Sequence, residues 1–224
     1  ESTSAIYDAV SETVFALSNG FLGIRGGVNE ISSPTDKVYI SSIFENSEID
    51  YHERFPGFAR KTDTRIPVAD PRRFIIELNG RNISGANMVS TIRTLNMKSG
   101  EYVRTTIWND KNGGEIVITS SHIAPFKNNN CILNKFKIES RSFEGVISVQ
   151  SIIDDIVEAA QKGDDPRLGV GVNTLSTIVN SGDDDGLFLV QETHESKQKI
   201  AIYVCQSKFE EERHFSKGEV IEIE

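Results

Sequence analysis

The sequence predicts an all-β fold, a large antiparallel two-sheet β-sandwich with few short helices. Three observations carry that prediction. Residues 102–123 alternate with a period of two on both arms of a hairpin, β-rich segments recur at short spacing between turn-forming residues, and helical periodicity is scarce. Short strands in such number, without long amphipathic helices to cover a parallel sheet, argue for an antiparallel sandwich.

Taken in chain order, Val14-Phe-Ala-Leu17 and Phe21-Leu-Gly-Ile24 read as strands flanking Asn19-Gly20, a tight-turn dipeptide. Val38-Tyr-Ile-Ser-Ser-Ile-Phe44 is β-branched and aromatic and reads as one strand. Phe74-Ile-Ile-Glu-Leu78 leads into the turn signal Asn79-Gly80. In the hairpin, Val103, Thr105 and Ile107 alternate with Arg104, Thr106 and Trp108. The turn is Asp110-Lys-Asn-Gly-Gly114, and Ile116 and Ile118 then alternate with Val117 and Thr119. Further strands are predicted over 131–138, 146–153, 172–179, 187–192, 199–206 and 219–224. Both faces of Ile200-Ala-Ile-Tyr-Val-Cys205 are apolar, which predicts a strand covered on both sides. Ile152, Ile153, Ile156 and Val157 have helical spacing and predict one short helix within 151–160. The loosest stretch, 32–70, holds Pro34, Pro56 and Pro67 and reads as an excursion carrying one strand; long loops of this kind are often functional.

A chain of 224 residues is long enough for one large all-β domain, and no repeat, low-complexity tract or linker divides it. Hydrophobic residues make up 38% and charged residues 25%, an ordinary balance for a folded domain, which argues against disorder. The net charge of −9, from 33 acidic and 24 basic residues, disfavours nucleic-acid binding. No apolar run approaches a membrane span and no signal peptide is visible, so a cytoplasmic protein without membrane contact is expected. The chain opens at Glu1 without Met and reads as a trimmed piece. The two cysteines, Cys131 and Cys205, sit beside apolar residues and are expected to be buried free thiols.

Several patterns invite chemistry and do not sustain it. Gly20, Gly23, Gly26 and Gly27 do not form a phosphate loop, having neither its spacing nor a following helix. Asp183-Asp-Asp-Gly186 lacks the alternating ligands of a calcium loop, and His52, His122, His194 and His214 share no metal-ligand spacing, so no metal site is expected. No serine sits in a nucleophile elbow. Glycosidic cleavage needs an acid opposed to a base or nucleophile, and no Asp or Glu stands out for either role. The segment Tyr51-His-Glu-Arg-Phe-Pro-Gly-Phe58 is different. It gathers aromatics, a carboxylate and an arginine in a Pro/Gly-bounded loop, the mixture that binds sugars. Tyr51, His52, Glu53 and Arg54 are therefore candidates for a substrate rim or a domain interface; the alternative is an ordinary loop anchored by its aromatics.

Two motifs carry a family resemblance. Glu12-Thr-Val-Phe-Ala-Leu-Ser-Asn-Gly-Phe-Leu-Gly-Ile-Arg-Gly26 resembles the opening motif of glycoside hydrolase family 65, the maltose/kojibiose/trehalose phosphorylase group. That motif is a Glu, a short apolar stretch, then Asn-Gly-aromatic-x-Gly-x-Arg-Gly, filled here by Asn19, Gly20, Phe21, Gly23, Arg25 and Gly26, with Glu30 where the family carries Glu. Leu95-Asn-Met-Lys-Ser-Gly-Glu-Tyr-Val-Arg104 resembles the family's Leu-Asp-Met-x-x-Gly-x-Leu-x-Arg strand, with Asn96 in place of Asp. Trp108 and Ile123-Ala-Pro-Phe-Lys127 continue the likeness, which runs from about residue 10 to 224. The 51–58 loop with Arg65-Ile-Pro-Val-Ala-Asp70 resembles one subgroup rather than the maltose phosphorylases.

The resemblance implies that residues 1–224 are a single N-terminal supersandwich, galactose-mutarotase-like, and that an (α/α)6 catalytic barrel and a C-terminal β domain lie outside them. It implies an inverting parent enzyme in which phosphate, as co-substrate, attacks an α-linked disaccharide to give β-glucose 1-phosphate and glucose. The general acid would be a Glu of the barrel, with no metal or organic cofactor. This domain would then be non-catalytic, with no catalytic residue carried across. It would support the barrel, shape the active-site rim and offer a homodimer interface. The alternative is a free-standing carbohydrate-binding or mutarotase-like sandwich.

Overall fold

The computed structural model describes residues 2–3, 9–33, 36–49, 51, 53, 55–155, 175–183, 186–205 and 212–223. The chain begins with β1 (Ser2–Thr3), α1 (Ala9–Val14), β2 (Leu17–Ser18), β3 (Leu22–Ile24), β4 (Val38–Ile40), β5 (Phe44–Glu48) and β6 (Lys61–Arg65). There follow β7 (Asp70–Leu78), a 3-10 turn (Gly85–Asn87), β8 (Met88–Asn96), β9 (Glu101–Asn109), β10 (Glu115–Ile123), β11 (Leu133–Ser140) and β12 (Gly145–Asp154). The last are β13 (Leu175–Asp183), β14 (Gly186–Thr193), β15 (Lys199–Val204), β16 (Glu212–Phe215) and β17 (Val220–Ile223).

The fold is the expected antiparallel β-sandwich. A six-stranded sheet in the order β1-β8-β9-β10-β11-β17 forms one layer. The facing side is divided among three-stranded sheets, β16-β12-β7, β13-β14-β15 and β2-β3-β4, with a separate β5-β6 ribbon. Two apolar clusters fill the interior. The larger joins Trp108, Ile116, Ile118, Phe136 and Ile138 of the large sheet to Phe74, Ile76, Ile147, Val149 and Phe215 opposite. The smaller gathers Phe15, Ile24, Val38, Val68, Leu175 and Ile200 around Tyr102. Phe74 and Phe136 stack across the layers with ring centroids 4.6 Å apart.

The expected hairpin pairs in register from Asn109↔Glu115 to Glu101↔Ile123. Its buried set is the less apolar one: Arg104, Thr106 and Trp108 point inward with Tyr102, while Val103, Thr105 and Ile107 are half-exposed.

Five expectations are corrected. The strand over 14–17 gives way to α1 and a two-residue β2, because Ser11, Glu12 and Phe15 bury one helical face and Arg25 donates from Nη2 to Ala9 O at 2.9 Å. So short a helix stands only on such tertiary support, which here outweighs the β preference of Val14 and Phe15. The strand over 38–44 is broken between β4 and β5 at Ser42, whose φ is 70°. The start of the predicted helix, 151–154, is the end of β12, and 156–160 lie outside the described residues. β15 is covered on one side only. As the outer strand of its sheet it buries Ile200 and leaves Tyr203 57% exposed. The cysteines are free but not buried, Cys131 being partly accessible and Cys205 exposed, because 131 lies in a surface loop and 205 just past the end of β15. β6 and β16 had no signal: neither Lys61-Thr-Asp-Thr-Arg65 nor Glu212-Arg-His-Phe215 has an apolar face to detect.

Candidate functional site

The two family-like motifs meet in one buried polar centre. Chain 25–30 crosses the inner face of the large sheet, where β8 and β9 place Arg93 and Arg104 directly opposite each other, both fully buried. Two adjacent buried guanidinium groups need acceptors. Arg104 Nη2 contacts both oxygens of Glu30 at 2.8 Å, and its Nη1 donates to Thr106 Oγ1. Arg93 Nε donates to Gly26 O at 3.3 Å, and Tyr102 Oη donates to the same oxygen at 3.1 Å. Side chains from the second motif thus close on the backbone and the glutamate of the first. Gly26 is required by contact. A Cβ there would stand 2.7 Å from Phe15 Cβ and 2.9 Å from Phe15 O, and its amide donates to Glu12 O at 2.9 Å.

A second ion cluster lies beside the first. Arg72 binds Asp70 Oδ2 at 2.6 Å and Asp36 Oδ1 at 3.0 Å, and donates to Arg25 O at 2.9 Å. Burial raises the Asp36 carboxyl to about 6 against the opposing pull of Arg72, with Asp70 and Glu12 adding to the rise. Burial lowers the Arg72 pKa, but the charges of Asp36 and Asp70 outweigh it and hold the guanidinium more firmly protonated than usual. His122 stacks on Tyr102 with centroids 5.7 Å apart, and its Nε2 lies 3.1 Å from Asn29 Oδ1. Burial first, then the charges of Arg72 and Arg104, push its pKa well below the ordinary histidine value, so the ring is neutral.

Of the residues singled out from sequence, Tyr51 and Glu53 lie elsewhere, on the connection between β5 and β6. β5 and β6 pair from Phe44↔Arg65 to Glu48↔Lys61, and Ile49 donates to Arg60 O beyond them. Glu45 anchors the base of this ribbon, accepting the amides of Asn46, Glu195 and Ser196 at 2.9 Å each. Burial raises its pKa, and these amides together more than reverse that, leaving the carboxyl below its ordinary range. At the tip Tyr51 and Phe58 stand 5.0 Å apart and Phe55 and Phe58 5.5 Å. Phe55 and Phe58 are 56% and 49% exposed, so the aromatic cluster faces outward. Glu53 is exposed, and His52 and Arg54 lie outside the described residues.

Sequence reasoning missed Asn29, Asp36, Asp70, Arg72, Arg93 and His122. One signal was available. The alternation that puts Trp108 inside also puts Arg104 inside, and a buried arginine calls for a carboxylate such as Glu30. Among the described residues no group of three or more His, Cys, Asp or Glu side chains is arranged to hold a metal.

A family model described as "Glycosyl hydrolase family 65, N-terminal domain" matches residues 3–222. The alpha,alpha-trehalose phosphorylase of Thermoanaerobacter brockii is 28% identical over 214 residues, covering 89% of this chain and 28% of that protein. The kojibiose phosphorylase of Caldanaerobacter subterraneus subsp. tengcongensis is 26% identical over 195 residues, covering 85% of this chain and 23% of that protein. A solved structure titled "Putative kojibiose phosphorylase from human microbiome" superposes with a TM-score of 0.77 at 16% identity, over 99% of this chain and 31% of that one. The chain therefore spans less than a third of the length of each.

Proposed function

Because the chain belongs to the N-terminal domain family of glycosyl hydrolase family 65, we propose that it is the non-catalytic N-terminal domain of an inverting phosphorylase acting on an α-linked disaccharide. The parent enzyme takes disaccharide and phosphate to β-glucose 1-phosphate and glucose. The observation that carries this reading is a family match running almost end to end, over 3–222. The geometry supports a non-catalytic role. Glu30 is fully engaged by Arg104 and shut off from solvent, so it is not available to protonate a leaving group. What this domain contributes is support for the barrel and, through Tyr51, His52, Glu53 and Arg54, part of the active-site rim or of a contact with a second subunit. No helix among the described residues is long and apolar enough to cross a membrane, and a cytoplasmic setting fits the parent reaction.

The test is an assay for β-glucose 1-phosphate with trehalose, kojibiose and maltose in the presence of phosphate. The full-length parent is expected to release it from one of them. The 224-residue chain alone, without a general acid worth a factor of ~10²–10⁴, is expected to release none. Phosphate-dependent release by the 224-residue chain would overturn the non-catalytic reading.

A further inference from the structure

One end of the six-stranded sheet gathers features that the polar centre does not use. Asn96 pairs with Glu101, Glu101 with Ile123, and Ile123 with Leu133. The β8–β9 turn and the loop from β10 to β11 therefore lie side by side at this end. Met97 is 85% exposed there, Phe126 81% and Leu133 56%. Asn19 brings a fourth apolar group alongside. Its Nδ2 donates to Pro125 O and Asn129 O at 2.9 Å, and its Oδ1 accepts the amides of Phe21 and Leu22 at 3.0 and 2.8 Å. Phe21, 37% exposed, is thereby held against the loop that carries Phe126. A mostly apolar cavity of about 840 Å³ between the layers reaches the same end, its wall including Phe21, Ile123, Leu133 and Ile223. Large apolar groups held open together in this way mark an interaction surface.

The direction of β17 bears on the occupant. Val220 pairs with Glu139 and Ile223 with Phe136, so β17 runs toward the end at which β11 starts. From Ile223 this direction leads toward the start of β11, where Leu133 lies. The relatives are more than three times as long as the part of them this chain covers. We propose that the end of the sheet formed by Phe21, Met97, Phe126 and Leu133 is the docking surface for the polypeptide that follows residue 224 in the parent chain. The proposal rests on the reading of this chain as the N-terminal domain of a longer enzyme.

The experiment places a photo-reactive benzoylphenylalanine at position 126 of the full-length protein, with the same probe at Lys111 as reference. Lys111 is exposed in the β9–β10 turn, at the opposite end of the sheet. The expected result is cross-linking from position 126 to a peptide beyond residue 224 of the same chain. Its yield should be about tenfold or more above that from position 111, as for a close-packed interface core against open water. Cross-linking mainly to a second copy, mainly within 1–224, or at no more than the reference yield overturns the proposal. Phosphorylase activity is read separately. An active parent that fails to cross-link removes only the docking surface, and an inactive parent that cross-links as expected removes only the reaction.

Discussion

At the residue scale, the central interaction is the Glu30–Arg104 pair, both side chains fully buried. A buried pair of this kind contributes little net stability, but removing one partner strands a charge in the interior. Arg104→Met is therefore expected to destabilise the chain by about 3–5 kcal/mol in chemical denaturation, and Glu30→Leu with Arg104→Met to recover most of that loss. Equal stability of the single and double variants would show that the pair is not the principal partner of either group. His122 and Asp36 make opposite contributions to pH dependence. His122 is neutral when folded and binds a proton below pH ~6.5 when unfolded, so its contribution is lost as pH falls through that value, at up to about 1.4 kcal/mol per unit. Asp36 has a folded pKa of about 6 against 3.8, so the folded state takes up its proton first and stability rises as pH falls through that window. Asp36→Asn is thus expected to lose stability between pH 6.5 and 5 more steeply than His122→Gln. Identical slopes in the two variants would contradict the assignment of either group.

At the element scale, the β5–β6 ribbon has a fixed base and an exposed tip. Glu45 and the hydrogen bonds between Gln198 and the 42–44 backbone tie the base to the β14–β15 turn. The aromatic contacts at the tip are made within the loop itself. Phe55→Ser and Phe58→Ser should each change stability by no more than about 0.5 kcal/mol, as surface substitutions do. In the full-length enzyme, His52→Ala with Arg54→Ala should lower kcat/KM for the disaccharide about tenfold or more, equivalent to ~1.4 kcal/mol of transition-state binding. Unchanged kinetics together with a clear loss of thermal stability would make the loop structural and withdraw these residues. Asn19 plays the corresponding part at the end of the large sheet, where one buried amide joins the β2–β3 turn to the 124–132 loop.

At the scale of the whole molecule, one continuous sheet is faced by several smaller ones, and large apolar side chains are open to solvent in more than one place. Besides the end carrying Met97 and Phe126, the β13–β15 sheet leaves Val179, Phe188 and Tyr203 partly open. The 224-residue chain on its own is expected to bind a hydrophobic dye and to self-associate with rising concentration. Met97→Asp with Phe126→Asp should reduce both, seen by fluorescence and sedimentation. No change in either would mean that this end of the sheet is not the adhesive surface.

The strand-rich character, the 102–123 hairpin with its turn at 110–114 and the family likeness were all legible in the residues, because alternation and turn chemistry are local properties and the motifs are contiguous strings. The reason for the motifs was not legible. Glu30 and Arg104 are 74 residues apart, and Asp36 and Arg72 are 36 apart. Alternation puts Arg104 on the same face as Trp108, but no local pattern says which carboxylate it meets there or that chain 25–30 lies across β9. The same gap explains α1 at 9–14, which no local signal announced and whose last residue, Val14, read as the start of a strand; Arg25 and the burial of Ser11 and Glu12 hold it as helix. It explains the exposed side of β15 as well. An apolar residue on a strand is a statement about the strand, whereas whether anything covers it depends on which element the rest of the chain brings there, and only the tertiary structure decides that.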